Sequence, residues 1–360
     1  MKKTGLLVLI STLFLSCKST KLATLQNYNC IIIDTIFKDK INIRAISIAD
    51  EKVYFAGDKN RVGSINLKNN TVTINTNFVN DTINYEFRGI AQTTNSVFVL
   101  NVGNPAMLYK FSKDFKSNKL VYKEVHDKVF YDSMQFWNDN EGIALGDPVE
   151  NCFSIIITRN GGETWTKISC DKLPKMEEGE AAFAASNSNI VIQGENTWLV
   201  SGGKRARVFY SSDKGDSWKV FDTPIVQGES MTGIFSADFY DETIGFIAGG
   251  NYEKPNQNFQ NKALTIDGGK TWNLVSENRG FGYASCVQFV PKSGGKQLIS
   301  VGASGLYYSY DSGASWKQFS NDTSLFTVRF INENTAIAAG KDKIIKIIFE
   351  TLSISNCFQN

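Results

Sequence analysis

Thr158-Arg159-Asn160-Gly161-Gly162-Glu163-Thr164-Trp165, Ser211-Ser212-Asp213-Lys214-Gly215-Asp216-Ser217-Trp218, Thr265-Ile266-Asp267-Gly268-Gly269-Lys270-Thr271-Trp272 and Ser309-Tyr310-Asp311-Ser312-Gly313-Ala314-Ser315-Trp316 are four writings of one eight-residue phrase. Each begins with a hydroxyl, sets Asp or Asn in third place and Gly in fifth, and ends in Trp. An Asx side chain accepts hydrogen bonds from the N–H groups of its own turn. The glycine adopts positive φ without a Cβ clash, and the indole has a large apolar face to bury. The phrase therefore reads as a hairpin turn, repeated with a period of roughly 40 to 55 residues, as in solenoids and propellers.

Between the phrases run short β-branched and aromatic segments that end in glycine: Met134 to Gly146, Ala237 to Gly249, Val287 to Gly302 and Val328 to Gly340. Each reads as a strand, a polar turn and a second strand. Weaker copies lie at Arg44 to Gly57, Phe87 to Gly103 and Ala182 to Gly203. No stretch holds a helical period, so the expected class is all-β. Units beginning near Arg44, Arg88, Ser133, Ala182, Gly233, Ala284 and Thr327 predict seven four-stranded blades of about 46 residues each. The last unit lacks a phrase and a fourth strand, and the N-terminal run at residues 31–37 is expected to close it, hiding the open edges.

The N-terminus carries Lys2 and Lys3, then an apolar run from Gly5 to Leu15 that is too short to span a bilayer core, which needs about 20 residues. It reads as an export signal over residues 1–16. Phe14-Leu15-Ser16-Cys17 resembles the lipobox of bacterial lipoproteins, which implies lipidation at Cys17, a tether over 17–29 and one propeller over 30–360. In lipoproteins that it resembles, an acidic cluster after the cysteine tends to accompany export to the outer surface; this tether has none, so the resemblance implies a periplasm-facing anchor in the cell envelope. Loss of the leader leaves 36 of the 38 basic residues against 36 acidic ones. That balance argues against a nucleic-acid partner. In an oxidising compartment disulfides persist. Cys152 and Cys170 flank the first phrase symmetrically and would face each other across a hairpin, while Cys30 and Cys357 fall near the closing seam.

The phrase resembles the Asp-box of sialidase-like and photosystem II assembly-factor-like propellers, with Asn160, Asp213, Asp267 and Asp311 and with Trp165, Trp218, Trp272 and Trp316 in structural roles on the outer rim. Phe87-Arg88-Gly89-Ile90, Gly146-Asp147-Pro148, Gly179-Glu180-Ala181-Ala182-Phe183 and Gly202 to Phe209 extend the likeness to YCF48-type repeat proteins of non-photosynthetic bacteria. In the early units Ser64 to Asn70 and Phe111 to Phe115 stand where the phrase would be. The resemblance implies a seven-bladed propeller with a protein-binding or assembly role, and the expected state is a monomer. Its site would lie opposite the Asp-boxes, on loops carrying Arg44, Arg88, Asp132, Asp147, Glu178, Glu180, Arg205, Arg207, Glu229, Tyr252 and Tyr283. Charged and aromatic groups converging on a funnel suit a protein or glycan ligand.

Glu178 and Glu180 are the pair from which acid and base catalysis would be built in the alternative reading, a glycan-active hydrolase. A sialidase needs three arginines, and Arg44, Arg88, Arg205, Arg207 and Arg329 are the candidates, but the Arg-Ile-Pro signature is absent. The single His126 excludes a His-rich metal centre and a paired-histidine relay. No Gly-x-Gly-x-x-Gly follows a strand to hold a dinucleotide, and no loop has a dedicated Ca²⁺ spacing. The expectation is a binding module with neither metal nor cofactor.

Overall fold

The computed structural model describes residues 26–79 and 83–351. Cys17, Cys357 and the leader fall outside the described residues. Within them the chain is all β apart from one short 3-10 turn at Cys170–Lys172.

Antiparallel neighbours in sequence become neighbours in each sheet. Four sheets have four strands each, for example Tyr131–Phe136, Gly142–Gly146, Ser154–Thr158 and Thr166–Lys167. The first strands of successive units pack side by side around an axis, running from Cys30–Ala49 through Phe87–Gln92, Tyr131–Phe136, Ile190–Gln193, Thr232–Phe239, Ala284–Phe289 and Leu325–Asn332 back to Cys30–Ala49. This is a β-propeller.

The expectation of seven separate blades is corrected, because the described strands form six hydrogen-bonded sheets. The cause lies where the chain ends meet. Cys30–Ala49 is a continuous 20-residue strand. Its first part pairs with Lys343 to Glu350 and its later part, from Ile43, pairs with the strand Lys52–Gly57. The polar stretch Lys38-Asp39-Lys40, which looks like a break in sequence, only shifts the register. The terminal units are thereby joined in one six-stranded sheet and no separate seventh forms. A second six-stranded sheet arises where the two-residue strands Glu180–Ala181 and Gly202–Gly203 add to the sheet of Thr232–Phe239.

The core is a series of apolar layers between adjacent sheets. One layer sets Ile143, Leu145 and Ile155 against Leu199 and Phe209 of the next sheet. Each such side chain contributes about 1.5–3 kcal/mol when fully buried. The repeated phrases rivet these layers together. Asp267 Oδ1 accepts from the Thr271 N–H at 2.9 Å, and Thr265 Oγ1 accepts from the Gly269 N–H at 3.0 Å. Trp272 donates to the Gly269 carbonyl at 3.0 Å, and the same three bonds recur around Asp213 and Asp311. Gly269 has φ +86°, and a Cβ there would press on Trp198 and Phe239 of neighbouring strands. Trp198 itself is fully buried and donates to the Gly268 carbonyl at 2.9 Å, so turn and neighbour hold each other. Asn160 differs: its Nδ2 donates to Thr164 Oγ1, and Trp165 Nε1 is buried without a partner.

Candidate functional site

The axis of the propeller is filled by its own chain. Residues 182–189, Ala-Phe-Ala-Ala-Ser-Asn-Ser-Asn, lead into the strand Ile190–Gln193 and bond to the inner strands on every side. Arg44 and Arg88 donate to the Ala185 and Ala184 carbonyls at 3.3 and 3.2 Å. Arg329 Nη2 donates to the carbonyls of Ser186 and Asn187 at 3.0 and 3.1 Å. Asn187 donates to the Ile90 carbonyl and accepts from the Met134 N–H. Ser186 Oγ donates to the Ser285 carbonyl, and Ser188 Oγ donates to Ser236 Oγ. Small residues fit the crowded hub, and these polar groups are paired, as burial demands.

This plug separates two mouths. Along the inner strands, residues 44, 88, 130 and 182–185 line a cavity of about 410 Å³. Residues 46–48, 90–92, 134–136 and 187 line another of about 290 Å³. Because alternate strands run in opposite directions, the phrase turns lie on the side of the smaller cavity.

The larger cavity gathers Arg44, Arg88, Asp147, Tyr252 and Tyr283, together with Phe130, Phe183, Met231 and Phe235. Arg44 lies 4.1 Å over the Phe326 ring and has no carboxylate partner among the described residues. Its burial, and then the charge of Arg88, pull its pKa down. Arg88 donates to Glu86 Oε2 at 2.9 Å. Phe183 and Phe235 stack with ring centres 3.9 Å apart, Tyr283 meets Phe235 edge-on at 4.8 Å, and Tyr252 meets Tyr283 at 5.2 Å. Burial raises the Tyr283 hydroxyl above its ordinary pKa, so it stays a donor. Asp147 Oδ1 accepts from the Ala182 N–H at 2.8 Å, and burial pushes its pKa up to about 6. Beneath it Asp132 is 0 % exposed and neither of its oxygens has a partner. Burial first, and then the nearby Asp147, hold its carboxyl well above the usual range, against the pull of Arg88.

The other sequence candidates go elsewhere. Glu180, 3 % exposed, is held by Arg207, whose Nε donates to Oε1 at 3.0 Å, and by Ser201. Arg205 pairs with Asp222 at 2.8 Å on the surface. Glu229 pairs with exposed Lys254 and accepts from Asn251. Glu178 is exposed and borders an adjoining cavity of about 640 Å³, which shares Asp147, Ala181 and Ser230 with the first. Thus Glu178 and Glu180 do not stand as a free carboxylate pair, and only Arg44 and Arg88 of the five arginines share the pocket. Among the described residues no group of three or more His, Cys, Asp or Glu is placed to hold a metal ion. Cys152 and Cys170 are disulfide-bonded with a Cα separation of 5.6 Å. Cys30 is disulfide-bonded as well, while Cys357 lies outside the described residues. Phe183, Phe235 and the plug were not legible as site residues. Their one signal was the run of small residues Ala181 to Ser186, broken only by Phe183.

No protein-family model and no curated protein matches the chain. Among solved structures it is similar to YCF48 bound to a D1 peptide, with TM-score 0.64 and 12 % identity over 90 % of this chain and 98 % of that one. It is also similar to YCF48 from Cyanidioschyzon merolae, with TM-score 0.60 and 13 % identity over 87 % and 98 % of the two chains. A third is U3-55K, with TM-score 0.60 and 9 % identity over 88 % and 98 %. At these identities the likeness is one of fold.

Proposed function

We propose that this propeller is a non-enzymatic binding module that takes a polypeptide segment into the cavity beside Arg44. One observation carries the reading: a half-buried guanidinium without a carboxylate of its own, set beside Arg88 and an aromatic wall in a cavity of about 410 Å³. Desolvating an arginine is costly unless something offsets it, and a ligand carboxylate or peptide carbonyl would do so. The similar YCF48 fold bound to a peptide supports this use of the architecture. A glycosidase needs two free carboxylates facing one substrate, and the engagement of Glu180 by Arg207 speaks against that alternative.

Selection of random heptapeptides on the immobilised full chain tests the reading. The expected result is an enriched set that loses at least about tenfold in affinity on Arg44→Gln, with thermal unfolding monitored to show the variant folded. Absence of enrichment, enrichment indifferent to Arg44→Gln, or turnover of a chromogenic glycoside would overturn it. We further propose a lipid anchor at Cys17, holding the module in the cell envelope and facing the periplasm, on the strength of Leu15-Ser16-Cys17 after the apolar leader. Cys17→Ser is expected to move the protein from the membrane to the soluble fraction. Retention in the membrane would remove the anchor.

A further inference from the structure

The two cavities that meet at Asp147 carry opposite signs. The first holds Arg44 and Arg88, with Asp147 at its edge. The second is bordered by Glu150, Glu177 and Glu178, with Lys128 as the one basic residue on its wall. The three glutamates are exposed and have no ion pair among the described residues. Glu180, on the same wall, is already neutralised by Arg207. The shared residues Asp147, Ala181 and Ser230 make the two cavities one groove. At its junction Asp147 uses one oxygen on the Ala182 N–H. Below it Asp132, completely enclosed, has both oxygens unpartnered.

Resting on the peptide-binding reading above, we propose that the groove selects a two-signed segment, seating an acidic group at Arg44 and a lysine or arginine side chain on the shelf of Glu150, Glu177 and Glu178. Complementary charge at both ends fixes the direction in which the segment lies, because reversal would set like charges together. The aromatic wall between takes an apolar residue. Specificity thus comes from the shelf as much as from the arginines.

The test uses fluorescein-labelled peptides with Lys at one end, Phe in the middle and Asp at the other, in both orders and with one to four residues between the charges, titrated onto the full chain by anisotropy. Companion peptides replace Lys by Gln, or Asp by Asn. The expected result is that one order binds, that Lys→Gln in the peptide weakens it at least about tenfold, and that the Glu150→Gln, Glu177→Gln, Glu178→Gln triple variant erases that difference while still binding the Gln-containing peptide. Equal binding of the Lys and Gln peptides, or a Lys preference that survives in the triple variant, would overturn the two-signed groove and leave peptide binding standing. If no member of the set binds wild-type protein and random heptapeptides also fail, the broader reading falls with it.

Discussion

Asp238 turns its carboxylate inward from an inner strand, where Oδ2 accepts from the Phe289 N–H at 2.6 Å. Burial drives its pKa up to about 7, a shift that the hydrogen bond from Phe289 and the charge of Arg329 only partly oppose. An unfolded aspartate titrates near 3.9. Between about pH 4 and pH 7 the native state therefore holds the proton that the unfolded state releases, and stability is fully present below that window and lost as pH rises through it. Asn at this position keeps the acceptor and drops the charge. Asp238→Asn is expected to raise stability by on the order of 1–3 kcal/mol at pH 8 and by little at pH 4, read from urea unfolding at both values. An equal effect at the two pH values would show that the charge is not the cause. Nothing in the phrase Ala237-Asp238-Phe239 announced this, since alternation along a strand does not say whether a polar side chain faces water or the next sheet.

At the scale of elements, the disulfide between Cys152 and Cys170 ties the start of the strand Ser154–Thr158 to the chain leaving Thr166–Lys167. Just beyond Cys170 the chain carries Met176, Glu177 and Glu178, and it is anchored there by the Met176 N–H, which donates to the Asn151 carbonyl at 2.7 Å. Closing a loop of 18 residues is worth about 3 kcal/mol in the chain-entropy picture. The paired Cys152→Ala, Cys170→Ala variant is expected to speed amide exchange over residues 168–180 while the inner strands stay protected, as local opening predicts. Uniform loss of protection would instead show a global role. This is also the scale at which sequence reading worked best. The phrase around Asp267 named its own hydrogen bonds because they are local, made within five residues. The pocket was half legible: Arg44, Arg88, Asp147, Tyr252 and Tyr283 followed from which loops share a face. Glu180 did not, because its fate depends on Arg207, 27 residues away on a strand of another sheet.

Taken whole, the ring closes through its ends. Cys30 pairs with Glu350, and the register continues residue by residue to Thr35 and Ile345. Removing residues 30–37 would leave Ile344 to Glu350 as an open edge, rich in isoleucine, of the kind that pairs with other chains. Such a truncation is expected to lower the melting temperature and to sediment as aggregates. A soluble, equally stable truncation would mean that the seam is dispensable. Closure was read from the shortage of strands in the last unit, but not the fusion of two units into one sheet, because the strand runs on through the polar stretch between Lys38 and Asn42 with a shift of register and pairing resumes beyond it. The hub has a consequence of another sort. With residues 182–189 bolted to the inner strands, the molecule is a cul-de-sac and not a corridor. Whatever enters past Arg44 cannot pass along the axis to the opposite face, so no second molecule can push it out from behind, and release must take place from the face by which it came.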